Sequence, residues 1–423
     1  MATENSVRDS EKADWSASES DGVRGGEQIN ASCSEDFAVR ITKARSGVEA
    51  WGVTWREWQW HPNADIDFYL LILDLWQKRV SPLVIQLEEG GRPVAMLAGR
   101  VETAEDDFRL GYLRLFGIKV RRLNIITGGW MGDTGGEASR RLVTEVRNLL
   151  KRDRLDYALL CNIPTDSTLY HHYRQTPGLL TRDLLPEKSL RWKMHLPDTY
   201  AEFLKRRKKK HRYWLNRVVR VLEQEFPARL RTRCFRLAEE VETFCADAEQ
   251  VARLTYHRRL GVGFINDAVH QKRCLFAAQN NRFRGYVLYV DERPKAFWAG
   301  TLYKGVFHLA WTGYDPEWKK YELGTVLFLK MVEGMCSEKV QEIDFGIGEA
   351  FYKERFGDQS WEEASVCLYS ATARGIAING LRTIFGLASR GTRAVLGSLG
   401  LLARLKTYWR RRLTRRGSEP EPP

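Results

Sequence analysis

Two stretches of the chain combine residue types and spacing suited to holding an anion. In Lys319-Lys320-Tyr321-Glu322-Leu323-Gly324-Thr325, a glycine opens an apolar-periodic segment, VLFLKMVEGM. A helix that begins there presents unpaired backbone N–H groups and the positive end of its dipole. Such an end binds phosphate or pyrophosphate, and a glycine lets the ligand approach the backbone closely. Leu323, Gly324 and Thr325 are therefore candidate contacts to a phosphorylated cofactor, with Lys319 and Lys320 adding charge. The second stretch is Lys205 to Lys210, six cations in succession within AEFLKRRKKKHRYWLNRVVRVLEQEF. Leu204, His211, Leu215, Val218 and Leu222 recur at helical spacing, which predicts one amphipathic helix over 201–226. Six residues at about 100° each wrap the whole helix surface, so no single solvated face holds them. That end either projects into solvent or meets an anion: a substrate, a cofactor or a nucleic acid. Lys208, Arg212 and Trp214 are the candidate substrate contacts. Tyr213 and Trp214 could stack on bases, but no RNA-binding signature accompanies them.

A third stretch, GGWMGDTGG at 128–136, has five glycines in nine residues. It reads as a phosphate-cradling loop or as a mobile turn before a helix. It fits neither the P-loop pattern nor GxGxxG.

The elements that must position these residues follow from pattern. From Arg284 to Gly357 the order is β-β-β-α-β-α: GYVLYV, KAFWAGTLY, GVFHLAWTG, the long helix opened by Gly324, the short strand EIDFGIG and a helix-like AFYKERFG. The same order occurs earlier in the chain. PLVIQLEEGGRPVAMLAGRVE is a hairpin with a Gly-Gly turn. Further strand, the glycine-rich turn, EASRRLVTEVRNLL and LDYALLCNI follow it. Arg92–Gly99 (RPVAMLAG) and Arg293–Gly300 (RPKAFWAG) are identical at five of eight positions, and each is the second half of a hairpin. This is an internal duplication with a period near 200 residues. It predicts an α/β (α+β) protein of two domains, 37–190 and 191–370. Each would be a mixed, mostly antiparallel sheet flanked by helices.

The totals bound the function. The 423 residues carry a net charge of +13, which favours phosphorylated cofactors, nucleic acid or anionic lipid as partners. Residues 1–36 run against this trend, acidic and Ser-rich, and are expected to be a disordered tail rather than a secretory signal. Seven scattered cysteines without a Cys-x-x-Cys pair argue against a disulfide framework and a zinc site, and fit a reducing cytoplasm. The eight histidines show no ligand spacing, so no metal is expected. No apolar run reaches the roughly 18 residues that span a bilayer. WGVTWREWQWHP reads as a core segment, or as an aromatic wall for a sugar or a pantetheine arm. Residues 371–423 form a basic tail; its part 371–416 has no acid and periodic apolar residues. That part either lies on an anionic membrane surface or packs on the body.

The strand and helix order, with a helix start after the fourth strand of the repeat unit, resembles the GNAT acetyltransferases. More narrowly, YDPEWKKYELG, IDFGIGEAFYKERFG and RRKKKHRYWLNRVVRVLE resemble the CelD/BcsL group of GNAT-like proteins, over about residues 40–370. That group is related in fold to the FemAB aminoacyltransferases, whose double-GNAT architecture the duplication matches. The resemblance implies transfer of an acyl group from acetyl-CoA or another acyl-CoA to an amine or hydroxyl acceptor, in exopolysaccharide or cell-envelope glycan synthesis. It implies a cytoplasmic protein, peripheral on the inner membrane face if the tail binds lipid. It also supplies roles. Tyr352, on the helix after the fifth strand, matches the acid that protonates the leaving thiolate. A backbone N–H near Trp311 to Gly313 matches the donor to the developing oxyanion. Asp344 and Glu349 flank the cleft mouth as base or amine-holding groups, and Asp344 reads equally as a structural carboxylate paired with Lys or Arg. Lys353 either holds a phosphate or is solvated. Two other readings stay open: an aminoacyl-tRNA donor, and a non-catalytic protein that binds nucleic acid or a membrane.

Overall fold

Every residue of FRGYVLYV, Phe283–Val290, is buried. Tyr286, Leu288 and Val290 enter one core, and Phe283, Val287 and Tyr289 enter another. Alternate side chains of a strand point to opposite faces, so this strand lies in a sheet covered on both sides. The structure, a computed structural model, describes residues 37–398 apart from 77–78, 111–112, 256–257 and 259–262. The acidic tail 1–36 and the end of the basic tail lie outside the described residues.

The first part of the chain runs β1 Ala38–Thr42, α1 Arg45–Ala50, α2 Gly52–Trp58, α3 Ile66–Leu75, β2 Val80–Glu89, β3 Arg92–Leu110, β4 Leu113–Gly132, α4 Gly136–Arg152, β5 Tyr157–Pro164, α5 Thr168–Gln175 and β6 Glu187–His195. The second part runs α6 Tyr200–Lys205, α7 Lys209–Glu225, β7 Leu230–Phe235, α8 Val241–Ala252, α9 Ala268–Gln279, β8 Phe283–Val290, β9 Arg293–Tyr303, β10 Val306–Tyr314, α10 Leu323–Ser337, β11 Glu342–Ile347, α11 Phe351–Phe356, β12 Gln359–Tyr369 and α12 Ala373–Ser398.

The twelve strands among the described residues form one sheet in the order β1-β2-β3-β4-β5-β12-β6-β11-β10-β9-β8-β7. The order is two-fold related about its centre. β3 and β9, which hold the repeated octapeptide, each lie third from an edge. Their registers match: Leu87 faces Ala95 and Leu288 faces Ala296, and each pairing slips by one residue at the next position. β4 with β5, and β10 with β11, are the two parallel pairs.

At the centre the two halves exchange their last strands. β6 follows β5 in sequence but pairs with β11, and β12 follows β11 but pairs with β5. β6 and β12 also pair with each other. The boundary expected between residues 190 and 191 thus falls inside β6, and the sheet runs unbroken through it. In the first half, Leu83, Ile85 and Leu87 pack against α4, while Val84 packs with Val48, Trp55 and Tyr69 on the other face. In the second half, α10 sends Val326, Leu327, Met331 and Met335 into a core shared with Leu215 and Leu222 of α7. α8 and α9 cover the opposite face.

Two elements differ from the pattern-based reading. The helix expected over 201–226 is broken into α6 and α7, and Lys208 takes extended backbone angles between them. Like charges three and four residues apart destabilise a helix, and the break falls inside the cationic run. α12 packs on the body along its first turns. Ile378 is buried, Arg374 pairs with Asp156, and Phe385 meets Phe108 and Phe116 of the β3–β4 arm. Ile384 and Leu387 are exposed.

Candidate active site

β10 and β11 pair only from Val306–His308 to Glu342–Asp344. Beyond that point they part. β10 stays with β9 through a register shift between Leu309 and Trp311, and β11 turns with β6 through a shift between Asp344 and Gly346. A bulge of this kind bends a strand and redirects its side chains. The parting opens the sheet between two differently built faces.

On the α10 face, the Pro316–Tyr321 stretch forms a 3-10 turn held by Asp315, and Glu322 takes a left-handed conformation before α10 begins. Leu323 is fully buried in the core, so only its backbone can meet a ligand. Gly324 has open surroundings. A Cβ placed there would approach only Tyr314, at 3.6 Å, so packing within the protein does not require the glycine. The indole N–H of Trp298 donates to the Gly324 carbonyl oxygen at 3.0 Å. The Thr325 hydroxyl donates to the Glu322 carboxylate at 2.9 Å, which commits it locally. Lys319 and Lys320 are exposed on the turn. Tyr352 packs its ring against Trp298 at 5.0 Å and Phe345 at 5.9 Å, on this same face. Lys353 is buried and donates to the carbonyls of Gly346 and Ile347 at 3.2 and 2.5 Å. Burial pulls its pKa down to about 8. Its ammonium thus buttresses the loop after β11 instead of facing a phosphate. Glu349 is exposed on that loop.

The basic helix start lies beside this face. Trp214 packs on the core, with the Arg355 guanidinium 4.3 Å from its ring. Phe226, just past the end of α7, packs on Trp318 and Tyr321 of the 3-10 turn. Lys208, Lys209 and Lys210 are exposed, Arg212 is half-buried, and Tyr213 is 65% exposed.

The opposite face holds a cavity of about 280 Å³ to which both halves of the chain contribute. Asp344 is its fixed point. Arg191 of β6 grips it with Nη2 at 2.6 Å from Oδ2 and Nε at 3.1 Å from Oδ1, and the Gly346 N–H donates to Oδ1 at 2.8 Å. Arg191 also pairs with Glu363 of β12 at 3.1 Å. The exchanged strands are what bring these three together. Burial works against the Asp344 charge, but the His308 contact and the Arg191 guanidinium outweigh it and hold the carboxyl well below the usual range. Burial pushes Glu363 the other way, up.

His308 of β10 places Nδ1 at 3.4 Å from Asp344 Oδ2. That is ion-pair distance but not a formed hydrogen bond, and neither ring nitrogen has such a bond among the described residues. Burial lowers the His308 pKa and Asp344 only partly offsets it, so the ring is neutral near pH 7. His61 meets it edge-on, with ring centroids 4.9 Å apart. Burial, then His308 and Arg191, depress the His61 pKa well below its ordinary value.

Local sequence explains the position of His61. Pro62 starts a short 3-10 turn, and the Asn63 N–H donates to His61 Nδ1 at 3.1 Å. Asp65 then caps α3 with Oδ1. Its Oδ2 accepts from Arg282 and Tyr303 of the second half at 3.0 and 3.1 Å. Gly128 supplies the space: at φ +76°, a Cβ there would lie 2.4 Å from His61 Cβ. Gly132, at φ +75°, likewise lies against the Val94 carbonyl oxygen. The first part of the glycine-rich stretch is therefore the close-packed end of β4, while Gly135 and Gly136 form the turn that opens α4. Trp55 of the aromatic segment is fully buried in the core.

His61, His308 and Asp344 each place a donor atom so that all lie within 4.8 Å of one another. This donor set suits hydrogen bonding better than a cation. The Arg191 guanidinium already occupies Asp344 and lies 3.3 Å from His61 Nε2. Both ring nitrogens of His61 face N–H donors, from Asn63 and from Arg191, and a cation placed there would also meet the Arg191 charge.

Residues 209–354 match the family described as acetyltransferase (GNAT) domain. The likeness is to this segment alone. It spans α7 to α11 and so contains the parting strands, the start of α10 and Tyr352. No curated protein sequence matches the chain. Among solved structures, FemX is similar at 9% identity and TM-score 0.44, over 69% of this chain and 89% of that one. A tandem GNAT protein from the clavulanic acid biosynthesis pathway is similar at 11% identity and TM-score 0.44, over 80% of this chain and all of that one. The C-terminal domain of a putative lysylphosphatidylglycerol synthetase from Agrobacterium fabrum is similar at 10% identity and TM-score 0.42, over 68% and 85%.

The sequence reading named Asp344, Tyr352 and the α10 start, but not His61, Arg191 or His308. Nothing in local spacing marks those three; the single hint was GVFHLAWTG, a histidine inside an otherwise apolar strand.

Proposed function

We propose that the chain is an acyltransferase whose reacting centre lies where β10 and β11 part. The observation that carries this reading is the pairing of faces: an open helix start with exposed lysines on one, and a neutral histidine beside a fixed carboxylate on the other. The residues at the α10 start fit the pyrophosphate of an acyl-CoA, with open space at Gly324 and charge from Lys319 and Lys320. Acyl-CoA, when bound, supplies the activated acyl group. His308 takes the proton of the attacking amine as its nitrogen bonds to the acyl carbon. Asp344 steadies the imidazolium that results. Tyr352 gives its proton to the sulfur as the carbon–sulfur bond breaks. The backbone at the β10 bulge, from Leu309 to Trp311, is the place for an oxyanion donor. Asp344 itself is held too acidic to serve as the base. An amino sugar or another glycan precursor is the acceptor class this reading favours. Release of free thiol from acetyl-CoA in the presence of an amine tests it. His308→Gln and Tyr352→Phe should each cut turnover about 10²–10⁴-fold without weakening acetyl-CoA binding; parent-like turnover in both would remove the assigned base and acid.

Exposed Lys208–Lys210 and Tyr213 support a second donor, an aminoacyl ester on tRNA. Supplying aminoacyl-tRNA in place of acetyl-CoA in the same assay separates the two. A peripheral membrane location draws support from Leu115, Phe116, Ile384 and Leu387, exposed on the β3–β4 arm and on α12, which lie against each other. Among the described residues no helix is long and apolar enough to cross a membrane. Sedimentation with phosphatidylglycerol vesicles should carry down the parent and leave Ile384→Ser/Leu387→Ser in solution.

A further inference from the structure

The cavity beside His308 is lined by three arginines, and they differ in what answers their charge. Arg191 holds two carboxylates, Asp344 and Glu363. Arg282 pairs with Asp65 at 3.0 Å and lies over the Tyr303 ring. Arg273 of α9 pairs with no acid: among the described residues its guanidinium makes no ion pair or hydrogen bond, and Asp267 acts on it only at a distance. It rests instead between two rings, 5.7 Å from the centroid of Phe68 and 5.5 Å from that of Trp311. The nearest acid on its own helix end, Asp267, is bound to His270. Burial lowers the Arg273 pKa, but an arginine remains charged in proteins. A desolvated guanidinium facing a cavity with no counter-charge is poised for an anion.

The far end of the cavity is built differently. Asp344 lines it beside His308, and Arg191 and the nearby Lys353 already answer the charge of Asp344 and Glu363. The cavity is therefore asymmetric, with a hydrogen-bonding end at His308 and Asp344 suited to an amine and an unpaired cation at the Arg273 end suited to an anion. Phe68 and His61 come from the first half of the chain, and Arg273, Trp311 and His308 from the second.

We propose that this cavity takes a small acceptor bearing both an amine and an anionic group, a phosphate or a carboxylate, and that Arg273 holds the anion. This rests on the acyltransferase reading for the use made of the amine, but the binding itself does not.

Binding to the purified full chain is measured by calorimetry without any acyl donor. The probes are glucosamine 6-phosphate, 4-aminobutyrate and uncharged glucosamine. At least one anionic amine should bind roughly tenfold or more tighter than glucosamine, and Arg273→Met should abolish that preference. Which of the two does so identifies phosphate or carboxylate as the anion. Methionine keeps an apolar stem between Phe68 and Trp311, and Arg273→Lys restores a charge; the lysine variant should regain part of the preference. Equal binding of all three probes, no binding by any, or a preference unchanged in Arg273→Met would overturn the proposal. A separate titration with acetyl-CoA reports on the acyltransferase reading, so the two can fail independently.

Discussion

Replacing Arg191 by methionine removes the one cation shared by two buried carboxylates. Arg191 is 6% exposed, Asp344 2% and Glu363 4%. Removing one partner of a buried ion pair costs about 3–5 kcal/mol, because the remaining charge is left uncompensated. Two carboxylates lose their partner here, so the upper part of that range is expected at pH 7. The loss must also depend on pH. In the parent, Asp344 has a folded pKa below its unfolded value, so it contributes stability above about pH 3.9 that is lost as pH falls further. In the variant, burial without Arg191 raises both carboxyl pKa values above their unfolded values. Each then binds a proton on folding as pH falls, and the penalty shrinks. Urea unfolding of parent and Arg191→Met between pH 7 and pH 4.5 should show the gap narrowing. Arg191→Met/Asp344→Asn should recover part of the loss at pH 7. A gap under about 1 kcal/mol at pH 7, or one that stays constant with pH, would refute the view that these charges are buried and mutually dependent.

Gly128→Ala forces a side chain into a left-handed backbone position and into contact with His61. Strain and overpacking of about 1–3 kcal/mol each should lower Tm, with acetyl-CoA affinity retained and turnover reduced; an unchanged Tm would contradict the assigned packing. The lowered His308 pKa places the acid limb of kcat/KM below pH 6.5, since the base works only when neutral; a limb above pH 7 would point to another group.

Much of the second half was legible because its signals are local. Three strands, a glycine-opened helix, a strand and a short helix follow one another from Phe283 to Phe356 as the pattern indicates. The repeat was legible too, since Arg92–Gly99 and Arg293–Gly300 occupy equivalent strands. The exchange of β6 and β12 was not. Each joins a strand of the other half, and a period-2 pattern says which face is buried, not which neighbour is chosen. For the same reason the cavity could not be assembled from spacing. His61 and His308 lie 247 residues apart and Arg191 and Asp344 153 apart, and each local context reads as ordinary strand or turn. The break before α7 reflects charge repulsion that apolar periodicity does not report. The glycines of GGWMGDTGG could be read as a ligand loop as well as a turn before a helix, because close approach to a ligand and close approach to a histidine make the same demand on a backbone.

The central claim is that the start of α10, at the parting of β10 and β11, holds the phosphates of an acyl-CoA. Calorimetric titration of acetyl-CoA into the parent and into Gly324→Glu tests it most directly. The substitution adds a side chain where a Cβ meets only Tyr314 at 3.6 Å, so the fold should persist while a negative charge faces the phosphates. Saturable binding by the parent and none by Gly324→Glu, at an unchanged Tm, is the predicted result. Equal affinity in both proteins, or no binding by the parent, would contradict the account.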